Sequence, residues 1–350
     1  MSAPTIDIPK TVDTGFWKKW RYQDTLGTGA SGRVVDIRDR VTGAAYALKL
    51  FKPTHVQHAV DVELPIMFYL NSECKRLLKF REFVYIPDPQ SMQPVYGLRM
   101  DLAAGSDLFQ FGQTYPDPLG NFHTQESMKL FLQRLVWDVS RQLRCVHRKR
   151  FAHRDIKLEN ITYSQTVGRH NRTRHRFQLI DFGLSTSVDT PTAHDARVGT
   201  LNYMAPEMIQ NRVLDPRIAD IWSLGVTAWE AATGSQFVEL EGVRSQRDAL
   251  YELSQSMHAV QVQEFYPASP ELENLIRQML QWDPQKRPTA SEILDRVNQI
   301  RIAQPIAPPR LALCHNCPTQ TDQQCTRCGT PYCSIRCQRA DWRDHRALCK

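Results

Sequence analysis

His153-Arg154-Asp155-Ile156-Lys157-Leu158-Glu159-Asn160, followed 21 positions after Asn160 by Asp181-Phe182-Gly183, decides how this chain is read. Together the two segments supply two carboxylates, an ammonium and an amide. Those are the groups needed to move a phosphoryl group from a nucleotide to a hydroxyl. Acid-rich loops arise often by chance, so the reading depends on whether the remaining parts exist elsewhere in the chain.

Upstream, Leu26-Gly27-Thr28-Gly29-Ala30-Ser31-Gly32-Arg33-Val34 reads G-x-G-x-x-G-x-V. Glycines let a backbone turn tightly and approach phosphate without Cβ clashes. Alone, the pattern equally fits a glycine-rich hairpin with no ligand. Asp36 to Arg40 is expected as the second strand of that hairpin, and Ala44 to Phe51 as a third. The third carries Ala45-Tyr46-Ala47-Leu48-Lys49. A lone strand-end lysine is usually solvated, so a carboxylate partner matters. Glu63 fits, because Ile66 and Leu70 continue one helical face from it. Glu73, the other candidate, lacks that apolar follow-through. Pro65 falls inside the same helix and removes a backbone bond, which predicts a bent or mobile helix.

Further on, Val95 to Leu102 reads as a strand. Thr124 can cap a helix to about Arg148, with Leu132, Leu135, Val139, Leu143 and Val146 as its buried stripe. Asp220-Ile221-Trp222-Ser223-Leu224-Gly225 opens an apolar helix to Ala232, closed by Gly234. A final helix is expected over Ala290 to Ile302.

These motifs, with Met204-Ala205-Pro206-Glu207 ending in A-P-E and Trp282-Asp283-Pro284 ahead of Arg287-Pro288-Thr289, resemble a eukaryotic protein kinase over residues 20–302. The resemblance implies an α+β, bilobal fold, with a small β-rich N-lobe and a larger helical C-lobe. It implies use of ATP and Mg²⁺. Asp155 would orient the acceptor hydroxyl and take its proton, and Lys157 would steady the γ-phosphate. Lys49 would grip the α- and β-phosphates with Glu63 as partner, and Asn160 and Asp181 would hold magnesium. Leu26, Gly27, Gly29, Gly32, Val34 and Ala47 would enclose the nucleotide, with Met100 similar to a gatekeeper. Asp101, Leu102 and Ala103 would offer hinge backbone to adenine. Asp107 matches a ribose-binding position, although an exposed loop acid is an equal reading. Asp220 would brace the catalytic loop, and Arg287 would pair with Glu207. Lys157, with Gly199-Thr200, resembles serine/threonine rather than tyrosine kinases.

Arg154 implies that an anion on the segment from Asp181 to Glu207 would order it. The position often phosphorylated in the family is Ala196 here, so Asp195 is a candidate fixed charge and Thr190 and Thr192 are candidate acceptors. An insertion between Ile161 and Gln178 carries Arg169, His170, Arg172, Arg174, His175 and Arg176. It reads as a solvated hairpin tip, with docking of an acidic partner or phosphate as the alternative.

Residues 303–313 form a proline-rich spacer, Gln304-Pro305-Ile306-Ala307-Pro308-Pro309-Arg310 at its centre, which cannot continue a helix. Then follow Cys314, Cys317, Cys325, Cys328, Cys333, Cys337, His345 and Cys349. Eight soft ligands suffice for two closed tetrahedral sites, and so for two structural Zn²⁺. Little apolar sequence surrounds them, hence metal must supply the folding energy. Tyr332 before Cys333, and Asp341-Trp342 ahead of His345, resemble the MYND finger over residues 314–349. That resemblance implies interleaved sites, with Cys314, Cys317, Cys333 and Cys337 on one zinc and Cys325, Cys328, His345 and Cys349 on the other. It also implies a protein-interaction module that takes short proline-containing peptides, unless the finger is purely architectural.

The chain has 350 residues and 41% hydrophobic content, enough for a substantial core. No apolar run approaches the ~20 residues that span a bilayer. Residues 1–19 read as a polar leader without secretory character. Seven of nine cysteines lie from Cys314 onward. Such clustering argues for metal ligation in a reducing compartment, cytoplasm or nucleus, and against a disulfide framework. The formal charge of +7 falls to about +4 once seven thiolates and two zinc ions are counted, too mild to argue for nucleic-acid binding. The sequence therefore reads as an active serine/threonine kinase whose finger recruits substrate or scaffold. The rival is a kinase-shaped scaffold of low activity.

Overall fold

Antiparallel pairing of apolar strands builds the N-terminal part of the molecule. The computed structural model describes residues 8–114, 125–167, 173–190, 198–212, 215–240, 242–262, 269–303, 312–313 and 320–321. The chain divides into one unit of residues 1–164 and 176–298 and a second of residues 165–175 and 299–350. A short helix α1 (Phe16–Lys19) leads into β1 (Trp20–Thr28), β2 (Gly32–Asp39) and β3 (Ala45–Phe51). With β4 (Phe80–Pro87) and β5 (Pro94–Asp101) they form one sheet in the order β1-β2-β3-β5-β4. β2 starts at Gly32, earlier than the sequence predicts, because Gly32 to Val35 pair with Phe51 to Leu48 across the sheet. A Cβ at Gly32 would lie 2.0 Å from the Leu50 carbonyl oxygen, so no other residue fits there.

β3 runs through the middle of the sheet, and Ala47 to Phe51 are all buried. Val35, Ile37, Leu48, Leu50 and Ile86 form the core, with Phe16 and Trp20 packed into it from the chain ahead. The Trp17 indole donates to the Pro87 carbonyl at 2.7 Å, which pins that leading segment to the sheet.

Between β3 and β4 the chain forms α2 (Val56–His58), a π turn over Ala59–Glu63, and α3 (Leu64–Glu73). Pro65 directly follows the π turn, at the start of α3, and having no N–H it cannot bond back to the helical carbonyls ahead of it. The bend expected from Pro65 takes the form of this π turn.

The larger lobe opens with β6 (Ser106–Asp107) and α4 (Leu108–Thr114), followed by α5 (Gln125–Arg148). All five residues of the α5 apolar stripe are fully buried. Thr124, its expected cap, lies outside the described residues. Next come β7 (Phe151–Ala152), β8 (Ile161–Val167), β9 (Thr173–Leu179) and β10 (Thr186–Ser187), then α6 (Pro206–Ile209) and α7 (Pro216–Thr233). α7 begins ahead of Asp220 because the Asp215 carboxylate caps it, accepting from the Arg217 N–H at 3.0 Å. Gly234, at φ +68°, closes it in the left-handed conformation, as expected. α7 is apolar nearly all round and buried, with Trp222 fully enclosed. α8 (Gln246–Val262), α9 (Pro270–Met279) and α10 (Ala290–Ala303) complete the helical lobe. β11 (Ala312–Leu313) and β12 (Gln320–Thr321) pair antiparallel in the second unit.

One expectation fails. Cys74 and Cys145, the two cysteines outside the clustered tail, are joined by a disulfide, whereas the clustering argues against a disulfide framework. The C-terminal end of α3 meets the residues just after α5, with the Tyr69 and Phe151 rings 5.6 Å apart and Lys149 paired with Glu73. This brings the two cysteine Cα atoms to 5.9 Å, inside bridging range. The residues are 71 positions apart, so clustering along the chain does not reveal the meeting.

The Arg287–Glu207 pair forms as expected, with both guanidinium nitrogens 2.7 Å from carboxylate oxygens and Trp222 stacked 4.9 Å from the guanidinium. Both side chains are buried. Arg287→Met is expected to cost about 3–5 kcal/mol in urea unfolding, because it strands a buried carboxylate. Adding Glu207→Leu should recover most of that loss; unchanged stability in the single variant would show that the pair is solvated.

Candidate active site

The site begins with a charge placed where sheet packing alone would put an apolar side chain. Lys49 lies on the central strand β3, and its side chain is 5% exposed. Its Nζ reaches Glu63 Oε1 at 2.8 Å and Oε2 at 3.1 Å, and Asp181 Oδ1 at 3.0 Å. Glu63, not Glu73, is therefore the partner; Glu73 pairs with Lys149 instead. The π turn aims Glu63 inward, whereas α2 before it is exposed. Burial works to lower the Lys49 ammonium, but the Asp181 and Glu63 carboxylates outweigh it and hold the group charged, above its ordinary value. Burial raises Glu63, and Lys49 offsets only part of that effect. Asp181 is held below the usual carboxylate range: burial alone would raise it, and Lys49 with the Gly183 N–H more than compensates.

The loop after β7 presents the second half of the site. Asp220, at the buried start of α7, accepts the Arg154 N–H at 2.7 Å and the His153 N–H at 2.8 Å. The His147 ring lies 2.8 Å from the same carboxylate. These bonds hold Arg154 at φ +70°, an unfavourable conformation for a residue with a side chain. Burial pushes the His153 imidazole below its ordinary value, which favours its neutral form against the Phe182 ring.

Asp155 follows directly. Its Oδ1 accepts the Thr200 hydroxyl at 2.9 Å, and its Oδ2 accepts the Asn160 amide at 2.7 Å. Lys157 Nζ sits 3.0 Å from Oδ2 and donates to Thr200 at 2.7 Å. The Asn160 NH₂ also donates to the Asp155 carbonyl at 2.8 Å, which turns its amide oxygen the other way. The Ile180 N–H donates to the Asn160 carbonyl at 2.9 Å, so Asn160 stands beside the start of Asp181-Phe182-Gly183. Gly199, at φ +111°, allows the segment carrying Thr200 to approach; a Cβ there would be 2.5 Å from the Arg154 carbonyl oxygen.

The donor set suits a nucleotide with a divalent cation. One amide oxygen and one carboxylate, the latter 43% exposed on Asp181, are hard oxygen ligands. Gly27 and Gly29 offer a further test. A Cβ at either would meet no protein atom within 4 Å, and neither has positive φ, so neither packing nor backbone demands glycine there. The open space above them would admit a ligand close to the backbone.

The hinge is plainer than expected. The Asp101 N–H is bonded to the Lys79 carbonyl at 2.9 Å, and its carboxylate pairs with Arg81 at 2.6 Å, which leaves its carbonyl and the backbone of Leu102 and Ala103 to offer. Asp107 Oδ1 accepts the Gln110 N–H at 2.8 Å, capping α4. Leu26 is exposed, Val34 half-buried and Ala47 buried. Thr190 is held in a turn, its hydroxyl 2.8 Å from the Ser187 carbonyl. Thr192 and Asp195, all eight zinc ligands and the tip of the basic insertion (residues 168–172) lie outside the described residues.

Two contacts carried no sequence signal. The His58 Nε2 lies 2.9 Å from the Gly183 carbonyl, tying α2 to the Asp181 segment. Arg33, between Gly32 and Val34, pairs with Asp88 at 2.7 Å, so the glycine-rich strand is anchored to the β4–β5 turn.

Comparison with known proteins agrees with this geometry. Residues 20–297 match the protein kinase domain, and residues 314–349 match the MYND finger. The serine/threonine-protein kinase SAPK1 of Oryza sativa subsp. japonica is 26% identical over 277 residues, 79% of this chain and 74% of its own. An abscisic acid-inducible protein kinase of Triticum aestivum is 28% identical over 76% of this chain and 74% of its own. The serine/threonine-protein kinase SRK2F of Arabidopsis thaliana is 28% identical over 77% and 70%. The chain belongs to the protein kinase family, as a serine/threonine protein kinase whose kinase domain is followed by a MYND finger.

Proposed function

We propose that Asp155 is the base of this kinase, and that its finger recruits a protein partner or substrate to the same chain. The observation that carries the first part is the meeting of Lys49, Glu63 and Asp181, separated by up to 132 positions, with Asp155 and Asn160 bonded to each other beside the start of the Asp181 segment. Lys49 is placed to bind the α- and β-phosphates of ATP, with Glu63 fixing its direction. Asn160 and Asp181 would hold magnesium, which when bound neutralises charge on the phosphate oxygens. Leu26, Gly27, Gly29, Gly32, Val34 and Ala47 would cover the nucleotide, and Ala103 and the Asp101 carbonyl would meet the adenine. Asp107 keeps one carboxylate oxygen beyond its capping bond for the ribose.

The acceptor hydroxyl of a protein serine or threonine would approach Asp155 and give up its proton to that carboxylate. Thr200, Asn160 and Lys157 keep the carboxylate from rotating away, so its direction is fixed before substrate arrives. Lys157, already beside Asp155, would meet charge on the γ-phosphate. Beside Thr200 lies a cavity of about 410 Å³, walled by Phe109, Phe111, Tyr203 and Glu230, with room for the residues flanking an acceptor. We place the kinase domain at residues 20–302 and the proline-rich spacer at 303–313; α10 runs to Ala303.

For the finger, eight ligands suffice for two Zn²⁺, and the resemblance to MYND fingers implies the interleaved pairing and a short proline-containing peptide as the occupant. Seven thiolates in so short a segment fit a reducing compartment, the cytoplasm or nucleus. Thr190, Thr192 and Asp195 remain the anionic or phosphorylatable positions proposed to order the activation segment.

Asp155→Asn is expected to lower phosphoryl transfer to a generic serine/threonine peptide roughly 10²–10⁴-fold, with an unchanged unfolding midpoint. Full activity in that variant would remove Asp155 from its role. Lys49→Met should differ by losing both activity and stability, since it leaves Glu63 buried beside Asp181 without a cation. For the finger, elemental analysis of the intact chain should give two zinc atoms per molecule. Chelation should abolish partner binding while transfer to the generic peptide persists; one zinc, or activity lost together with the metal, would contradict this division.

A further inference from the structure

The Cys74–Cys145 bond joins the two elements that carry the two halves of the site. Cys74 caps the C-terminal end of α3, 11 positions after Glu63, and Cys145 lies in α5, 10 positions before Asp155. α3 is a rigid rod, so Glu63 sits roughly 16 Å along it from Cys74 at 1.5 Å per residue. Tilting such a rod by about 10° carries its far end about 3 Å, enough to break contacts of 2.8 and 3.1 Å between Lys49 and Glu63. A covalent anchor at Cys74 removes sliding of α3 over α5. The Tyr69–Phe151 contact, one turn back, limits its pivoting.

The surroundings of the pair favour thiol chemistry. Cys74 is followed by Lys75 and Arg76, and the Lys79 ammonium lies 3.4 Å from its carbonyl oxygen. Along the chain Cys145 is flanked by Arg144, Arg148 and Lys149, and the Glu73 carboxylate is paired with Lys149. Cationic surroundings favour the thiolate, the form that attacks and leaves in disulfide exchange. Cys74 is buried, but Cys145 is only half-buried, which gives a small thiol or disulfide a route to one sulfur. Neither cysteine belongs to the set of zinc ligands.

The geometry points to Cys74–Cys145 as a reversible oxidation site that governs the kinase through α3: oxidised, it clamps Glu63 on Lys49; reduced, it releases α3. The inference rests on the roles proposed for Glu63 and Asp155. Oxidation by a low-molecular-weight disulfide balances as two exchanges. The Cys145 thiolate attacks one sulfur of oxidised glutathione and expels one thiolate. The Cys74 thiolate then attacks the Cys145 sulfur and expels the second. Two protein thiols are oxidised, one glutathione disulfide is reduced to two thiols, and the two protons pass to the departing thiolates.

The test uses the full chain in buffers of fixed reduced-to-oxidised glutathione ratio, read two ways. Mass spectrometry of unreduced digests follows the Cys74–Cys145 linked peptide, and phosphoryl transfer to a generic serine/threonine peptide follows function. The linked peptide should rise with oxidation, and transfer by the oxidised protein should exceed the reduced protein at least threefold, chiefly through a lower KM for ATP. Cys145→Ser and Cys74→Ser should form no linked peptide and should stay at the reduced level in every buffer. Both variants keep the finger, so any response they share with wild type belongs to the zinc thiolates. Absence of the linked peptide at every ratio would overturn the proposal. So would its formation with equal rates in both states, or the same redox response in wild type and Cys145→Ser. The site assignment is read separately, through Asp155→Asn, which should lose transfer in both states while still forming the linked peptide.

Discussion

A single buried carboxylate fixes the geometry on which this enzyme depends. Asp220 is 1% exposed and takes two backbone N–H groups from the catalytic loop, with the His147 ring against it. A buried charge is costly unless donors surround it, and these donors belong to a loop held in an unfavourable conformation. Each side therefore makes the other tolerable. Because Asp220 lies in the second turn of a largely buried helix of the large lobe, the loop inherits the rigidity of the core. Asp155, one residue beyond the bonded segment, is positioned by packing that lies well behind it.

The second half of the site follows the same logic in the small lobe. Lys49 is enclosed by a sheet core that has no use for a charge, and two carboxylates from distant segments meet it there. Removing Lys49 strands two carboxylates without a cation, Glu63 in a region of low polarity, whereas removing either carboxylate leaves the ammonium paired with the other. The cluster thus couples three elements: the central strand, the helix carrying Glu63 and the segment beginning at Asp181. His58 adds a weaker tie of the same kind, from an exposed turn to the Gly183 carbonyl.

Much of this was legible in the sequence, because phosphoryl transfer restricts which residue types can serve and in what order. Lys49, Glu63, Asp155, Asn160 and Asp181 converge as their motifs imply, and Arg287 meets Glu207. The preference for Glu63 over Glu73 came from helical spacing alone, and it holds. What the sequence could not show depends on where remote backbone lies. The Asp101 N–H goes to Lys79, and Asp107 caps the helix that follows it, because neighbouring carbonyls and amides happen to be in reach. β2 begins at Gly32 since its partner strand extends that far. The Cys74–Cys145 bond, between residues on two different helices, is invisible to any count of cysteines.

The π turn over Ala59–Glu63 has a bearing on how this helix could change over generations. Such a turn holds one residue more than the regular spiral around it, and so has the look of an insertion that was kept. Excising one residue there would restore regular winding, but would swing everything ahead of it by about 100°, a single residue's share of a 3.6-residue turn. His58 would then face away from Gly183, while the Leu64–Glu73 segment stayed seated. Loss or gain of one codon in this stretch is therefore filtered far more severely than a substitution at its exposed position, Asp61, and lineage variation there should be expected in letters rather than in length.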